Sequence, residues 1–136
     1  MKTFPIRIAP GQDLRAALEA AVHSQNVRAA FVLSGIGSLS TAGLRMAGAG
    51  QPMRLTEDME ILTLSGTVAV DGGKTSSHLH MAVSTASGQV LGGHVAPGCI
   101  VRTTAEVLLA LLPDWQFSRE PDTQTGYEEL VIRVRD

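Results

Sequence analysis

The tightest constraint on this chain is the spacing of its β-type runs between Glu60 and Val95. Glu60 to Val70 is rich in aliphatic and β-branched residues and reads as a strand, which Asp71-Gly72-Gly73 turns back. Ser77 to Ala86 and Gln89 to Val95 read as two further strands around Ser87-Gly88. Connections this short join antiparallel neighbours, because a parallel pair needs a crossover of about a dozen or more residues. The middle of the chain is therefore a meander of hairpins.

The flanking segments extend that plan. Pro5 to Ala9 reads as a short first strand, closed by a Pro10-Gly11 turn. Asp13 is a plausible helix N-cap. Leu14, Ala17, Leu18, Ala21 and Val22 follow at spacings of three and four, which predicts a helix running to about Asn26. His23, just past that stripe, reads as structural. Ala29 to Leu33 is a short β run expected to end at Ser34-Gly35-Ile36-Gly37-Ser38. The Gly-x-Gly there lacks the third glycine and the following helix of a dinucleotide loop, so a tight turn or bulge is the better account. Ile100 to Leu112 carries two signals. Thr103-Thr104-Ala105-Glu106 imitates a capping box, but the β-rich Ile100 to Thr104 starts well before it, and the segment is read as a strand. Glu129 to Val134 is a closing strand. The expected fold is α+β: mainly antiparallel sheet with one N-terminal helix packed on it. At 136 residues, a single domain spanning 1–136 is expected, large enough to bury a core without disulfides or a structural metal.

Three of the four histidines fall inside one of these hairpins, as His78-Leu79-His80 and Gly92-Gly93-His94. Residues i and i+2 of a strand share a face, so His78 and His80 point the same way. If Thr85 to Gln89 forms a type I turn with Gly88 left-handed as a G1 bulge, Thr85 pairs with Gln89 and His80 falls directly opposite His94. A two-residue loop would send His94 to the other face. In the first register the three imidazoles share one face, close enough for one ion. Imidazole nitrogens suit zinc, and also nickel, copper or iron. Three protein ligands leave a position open, with Glu60 and Glu106 as candidate carboxylates. Cys99, after Pro97-Gly98, has no activating partner in the sequence and reads as an inert, half-buried thiol.

Charge narrows the function classes. With 11 Lys+Arg against 13 Asp+Glu the formal net charge is −2, and no basic run occurs, which argues against strong DNA binding by the chain unaided. A charged fraction of 18% is low for so small a surface and suggests that part of it is an interface between copies. A single cysteine excludes an intrachain disulfide and fits a reducing, cytoplasmic setting. The first ten residues show no secretory h-region, and no stretch is long and apolar enough to span a bilayer.

Several of these segments together resemble one known family. Met59-Glu60-Ile61-Leu62-Thr63-Leu64-Ser65-Gly66, His78-Leu79-His80, Gly88 to His94, the Ser34 to Ser38 segment and the tail from Phe117 to Leu130 are similar to the PPC (plants and prokaryotes conserved, also PCC) domain, in its bacterial stand-alone form. The resemblance implies an α+β fold assembled as a homotrimer and makes Ile100 to Leu111 a strand. It also implies a metal site, zinc by preference, at His78, His80 and His94. Plant members sit beside AT-hook motifs, from which DNA binding is attached to the family by association; this sequence has no such hook. Two readings follow: an oligomeric binding or regulatory module with a three-histidine metal site, or a small zinc-dependent enzyme using a histidine-bound water on a small substrate, with Glu60 or Glu106 as base.

Overall fold

Nine elements make up the fold: β1 (Lys2–Ile8), α1 (Leu14–His23), β2 (Ala29–Arg45), β3 (Met53–Asp71), β4 (Lys74–Thr85), β5 (Val90–Val95), β6 (Ile100–Leu111), β7 (Trp115–Pro121) and β8 (Glu128–Val134). They come from a computed structural model that describes residues 1–136. Six strands form one antiparallel sheet in the order β1-β6-β2-β3-β4-β5, and β7 and β8 pair as a separate hairpin. The α+β class expected from the sequence is what the chain adopts.

Helix α1 starts where its cap predicts, with Asp13 Oδ1 accepting from the Ala16 N–H at 3.0 Å. It ends at His23 rather than Asn26. The Ser24 N–H bonds back to the Ala20 carbonyl, and Asn26 takes a left-handed φ of 54°, a conformation asparagine tolerates better than most residues. Leu14, Leu18 and Val22 are fully buried, and they meet Val68, Leu79, Val83 and Leu109 in the main core. The helical stripe against the sheet face builds one part of that core, and Leu44 and Val95, where β2 meets β5, belong to the same cluster with Ile61 of β3.

Of the turn or bulge expected at Ser34 to Ser38 the structure has the bulge, and the segment, rather than ending the strand, is the middle of β2. The strand runs on to Arg45, with register shifts after Val32, Gly37 and Leu39 where it pairs with β6. Bulges bend and twist a strand without ending it. The bend lets the far end of β2 reach β5, where Leu44 pairs with Val95 and Arg45 with His94. Strands β2, β3, β4 and β5 thus close into a ring at that end. Strand β6 keeps period two: Val101, Ala105, Val107, Leu109 and Leu111 are all buried. Pairing with β1 on one side and β2 on the other overrides the capping-box pattern.

Strand β7, which no clear periodicity marks in the sequence, docks through one ring. Phe117 is 1% exposed, packed with Ala29 and Ala69 and edge-on to Phe31 at 5.7 Å between centroids. A bridge between Arg28 and Gln116 adds to the contact. The outer face of the large sheet is less covered. Phe31, Leu33, Ile36, Leu62 and Leu108, on β2, β3 and β6, are all exposed. No helix is long and apolar enough to cross a membrane.

Candidate metal centre

The β4–β5 turn adopts the expected register. The Thr85 N–H donates to the Gln89 carbonyl and the Gly88 N–H to the Thr85 carbonyl, both at 2.9 Å, with Gly88 at φ 84°. Ser84 then pairs with Val90, and His80 with His94. His78 and His80 project from β4 on the same face, so the three rings converge. Their centroids are 4.9 Å (His78–His80), 5.1 Å (His78–His94) and 5.8 Å (His80–His94) apart.

Two glycines hold the strands that carry these rings. Gly66, which ends the Glu60 to Gly66 motif, pairs with Leu79 at φ 148°. A Cβ there would collide with the His78 carbonyl oxygen, so only glycine lets β3 lie flat against β4 between the two histidines. Gly93 does the same for the ring closure, since a Cβ would stand 2.7 Å from the Arg45 carbonyl oxygen. The glycines of the two motifs are thus explained by close backbone approach at the histidines.

The donor set fits a borderline divalent cation. One ring nitrogen from each histidine lies within 4.8 Å of the others. The His78 and His80 Nε2 atoms are 3.2 Å apart. Two nitrogens bound to one ion at about 2.0–2.1 Å would be separated by about 3.3 Å on a tetrahedral edge. His94 Nδ1 is buried and has no hydrogen-bond partner. Leaving such an atom unpaired costs about 1–3 kcal/mol, which ligation would offset.

Ligation needs neutral imidazole, and the surroundings favour that form. Burial pushes His94 down to about 4, helped by His78, Arg45, Arg15 and His80. His78 is also lowered, first by burial and then by Arg119, His80 and Arg45, against an opposing pull from Glu129.

An open cleft of about 660 Å³ lies over His78 and His94. Its walls include Arg15 of α1, Arg45 at the end of β2, Arg119 of β7, Tyr127 just before β8, and Glu128 and Glu129 at its start. Arg15 pairs with Glu19 at 3.2 Å, and Glu19 accepts from the Ser77 hydroxyl at 2.6 Å. Arg119 Nη2 donates to Thr67 Oγ1 at 3.0 Å, and Thr67 is the cross-strand neighbour of His78.

The carboxylates expected from the sequence are elsewhere. Glu60 pairs with Ser84, while His80 faces Ser65, so Glu60 lies roughly 16 Å along β3 from the histidines. Glu106 is on β6, three strand spacings or roughly 14 Å from β4. The carboxylates at the cleft are Glu128 and Glu129, with Glu129 close enough to bias His78. Sequence reasoning missed Arg45 and Arg119 as well, because neither sits in a motif with the histidines. His23 is outside the cluster, its Nδ1 3.1 Å from Thr75 Oγ1. Cys99 is fully rather than half-buried, accepts from the Gly43 N–H at 3.3 Å, and burial raises its thiol pKa. It is inert.

Fold and site together define a small antiparallel β domain with three imidazoles gathered on the outer face of one hairpin. The chain belongs to the Plants and Prokaryotes Conserved (PCC) domain family, which matches residues 1–113. Among curated relatives, the bifunctional protein GlmU of Synechococcus sp. (strain JA-2-3B'a(2-13)) is 49% identical over 133 residues, 98% of this chain. The chain spans about a fifth of that relative's length (20%). Among solved structures, a hypothetical protein of Salmonella enterica is 41% identical with a TM-score of 0.92, covering 98% of this chain and 94% of that one. A metal-containing protein of Archaeoglobus fulgidus is 28% identical with a TM-score of 0.77, covering 96% of this chain and 94% of its own.

Proposed function

We propose that this chain is a self-associating metal-binding module in which His78, His80 and His94 hold one divalent transition metal, with zinc the best match. The observation that carries this reading is the convergence of three imidazole nitrogens within 4.8 Å, one ring holding a buried, unpartnered nitrogen. The metal-containing Archaeoglobus relative supports it. The module reading draws support from the Synechococcus protein, where the matched region is one part of a longer bifunctional chain.

Self-association is supported by the outer-face patch of Phe31, Leu33, Ile36, Leu62 and Leu108, apolar surface that a second copy would cover. A homotrimer is the state implied by the family resemblance. DNA recognition reaches this chain through family association, and a net charge of −2 makes unaided binding weak. A cytoplasmic setting is supported by the single cysteine, which can form no intrachain disulfide.

One observation favours a second, enzymatic reading: the cleft is open above His78 and His94, with Glu129 beside it. A metal there would supply Lewis acidity and an acidified water. Glu129 would accept a proton, and Arg45 and Arg119 would orient the substrate. The experiment that tests the site is elemental analysis of untagged protein beside the His78/His80/His94→Ala variant. Near-stoichiometric metal in the parent and none in the variant is expected. No metal in the parent, even after incubation with zinc, overturns both readings of the site.

A further inference from the structure

The histidines lie between two guanidinium groups that no carboxylate neutralises. Arg45 is the cross-strand neighbour of His94 on one side. Arg119 rests on Thr67, the cross-strand neighbour of His78, on the other. Both line the cleft, and the ion pairs of the chain are Arg15–Glu19, Arg102–Asp58 and Arg133–Glu120. Arg45 and Arg119 are in none of them.

Each of the two is nevertheless held in place. Arg119 spends one donor on Thr67 Oγ1 at 3.0 Å, and Arg45 Nη1 donates to the Ala49 carbonyl at 3.4 Å. A guanidinium carries five N–H donors, so most remain free on each. Two guanidinium forks outside any ion pair, Arg119 anchored on Thr67 and Arg45 touching the Ala49 carbonyl at longer range, share one concave surface and match the planar oxygens of a carboxylate or the oxygens of a phosphate.

We propose that this cleft binds a small oxyanion-bearing ligand, with Arg45 and Arg119 clamping its phosphate or carboxylate group beside the histidines. The clamp does not require the metal. Glu128 and Glu129 on the same rim are also outside every ion pair, and they suit a hydroxyl or ammonium group on the same ligand. Their charge makes a bifunctional metabolite a tighter ligand than a bare anion, which the two guanidinium groups still bind saturably. Tyr127, 75% exposed at the rim, offers a flat apolar face for the ligand's carbon frame.

The test uses the full chain, stripped of metal with chelator, in low salt. Inorganic phosphate and acetate are titrated separately while NMR follows the arginine Nε–H resonances and, so that parent and variants can be compared, the backbone amides of the residues lining the cleft. Saturable shifts of Arg45 and Arg119 with at least one anion are expected, with Arg133 unmoved. Phosphate alone, acetate alone or both would say which oxyanion the clamp prefers. The Arg45→Gln/Arg119→Gln variant should bind at least tenfold more weakly. No saturable shift with either anion, shifts spread equally over Arg133, or unchanged affinity in the double variant would overturn the proposal. If the variant does not fold, the shifts in the parent decide. Because the titration is run without metal, its failure leaves the metal reading standing, and elemental analysis tests that reading separately.

Discussion

The β4–β5 and β7–β8 hairpins both line the cleft over the histidines, yet they are held by different means. The first is central: β4 pairs with β3 and β5, and β5 pairs again with β2. Its side chains are placed by backbone register, which a single residue's slip would destroy. The second forms its own two-stranded sheet and reaches the larger one through Phe117, the Arg119–Thr67 bond and the Arg28–Gln116 contact. The family match ends at residue 113, before β7 begins. The two hairpins divide the labour. Imidazoles come from the part with the most constrained backbone, and the groups that would choose a ligand come from a wall docked on top of it.

The sharpest way to break this contrast is at Gly66. Replacing it with alanine drives a Cβ into the His78 carbonyl at a φ of 148°. A loss of about 3–4 kcal/mol in chemical denaturation is expected, since backbone must move. A loss under about 1 kcal/mol would mean that β3 and β4 can separate at little cost. Phe117→Ala should follow closely, destabilising by about 3 kcal/mol because a fully buried ring is removed. Metal retention should survive that change in whatever fraction stays folded. If it does not, the two hairpins are one cooperative unit and the contrast fails.

A smaller effect concerns pH. In the folded chain His94 is held down to about 4 from an ordinary 6.5, chiefly by burial. Between those values the unfolded chain binds a proton that the folded chain resists, so unfolding is favoured as pH falls. Metal-free protein should therefore lose stability from about pH 6.5 down to about 4, with His78 acting in the same direction. Denaturation series at several pH values check this. The slope should be shallower in His94→Gln, and an unchanged slope would assign it to other groups.

The smallest effect belongs to the second hairpin's surface. Glu120 is held down to about 2 by hydrogen bonds from Arg133 and Ser118. Glu120→Gln should lower the melting temperature slightly above pH 4.5, and less so in high salt, because exposed ion pairs contribute little and are screened. A shift as large as that of Phe117→Ala would make this surface pair a main anchor of the hairpin.

Much of the histidine hairpin was legible in the sequence. Period two put His78 and His80 on one face, and the Thr85 to Gln89 turn chemistry gave the register that brings His94 opposite His80. Those are local rules acting within one connection. The helix start was legible for the same reason, through Asp13. At Ser34 to Ser38 the bulge was among the sequence's two accounts, but the end of the strand expected there does not occur, because a bulge and a turn share the same small residues. What separates them is whether neighbouring strands continue alongside, as β3 and β6 do here.

Local spacing thus carried the α+β class and the hairpins, and, given the G1-bulge turn, the convergence of three imidazoles, because each depends on short stretches of chain. What surrounds them is set by long-range packing. Arg45 reaches His94 because bulges bend β2 back onto β5, and Arg119 and Glu129 reach the cleft because Phe117 seats a separate hairpin. Contacts between segments so far apart in sequence are set by core packing and strand closure, and no local period encodes them. For the same reason Glu60 and Glu106, plausible partners on paper, lie strand lengths away from the site.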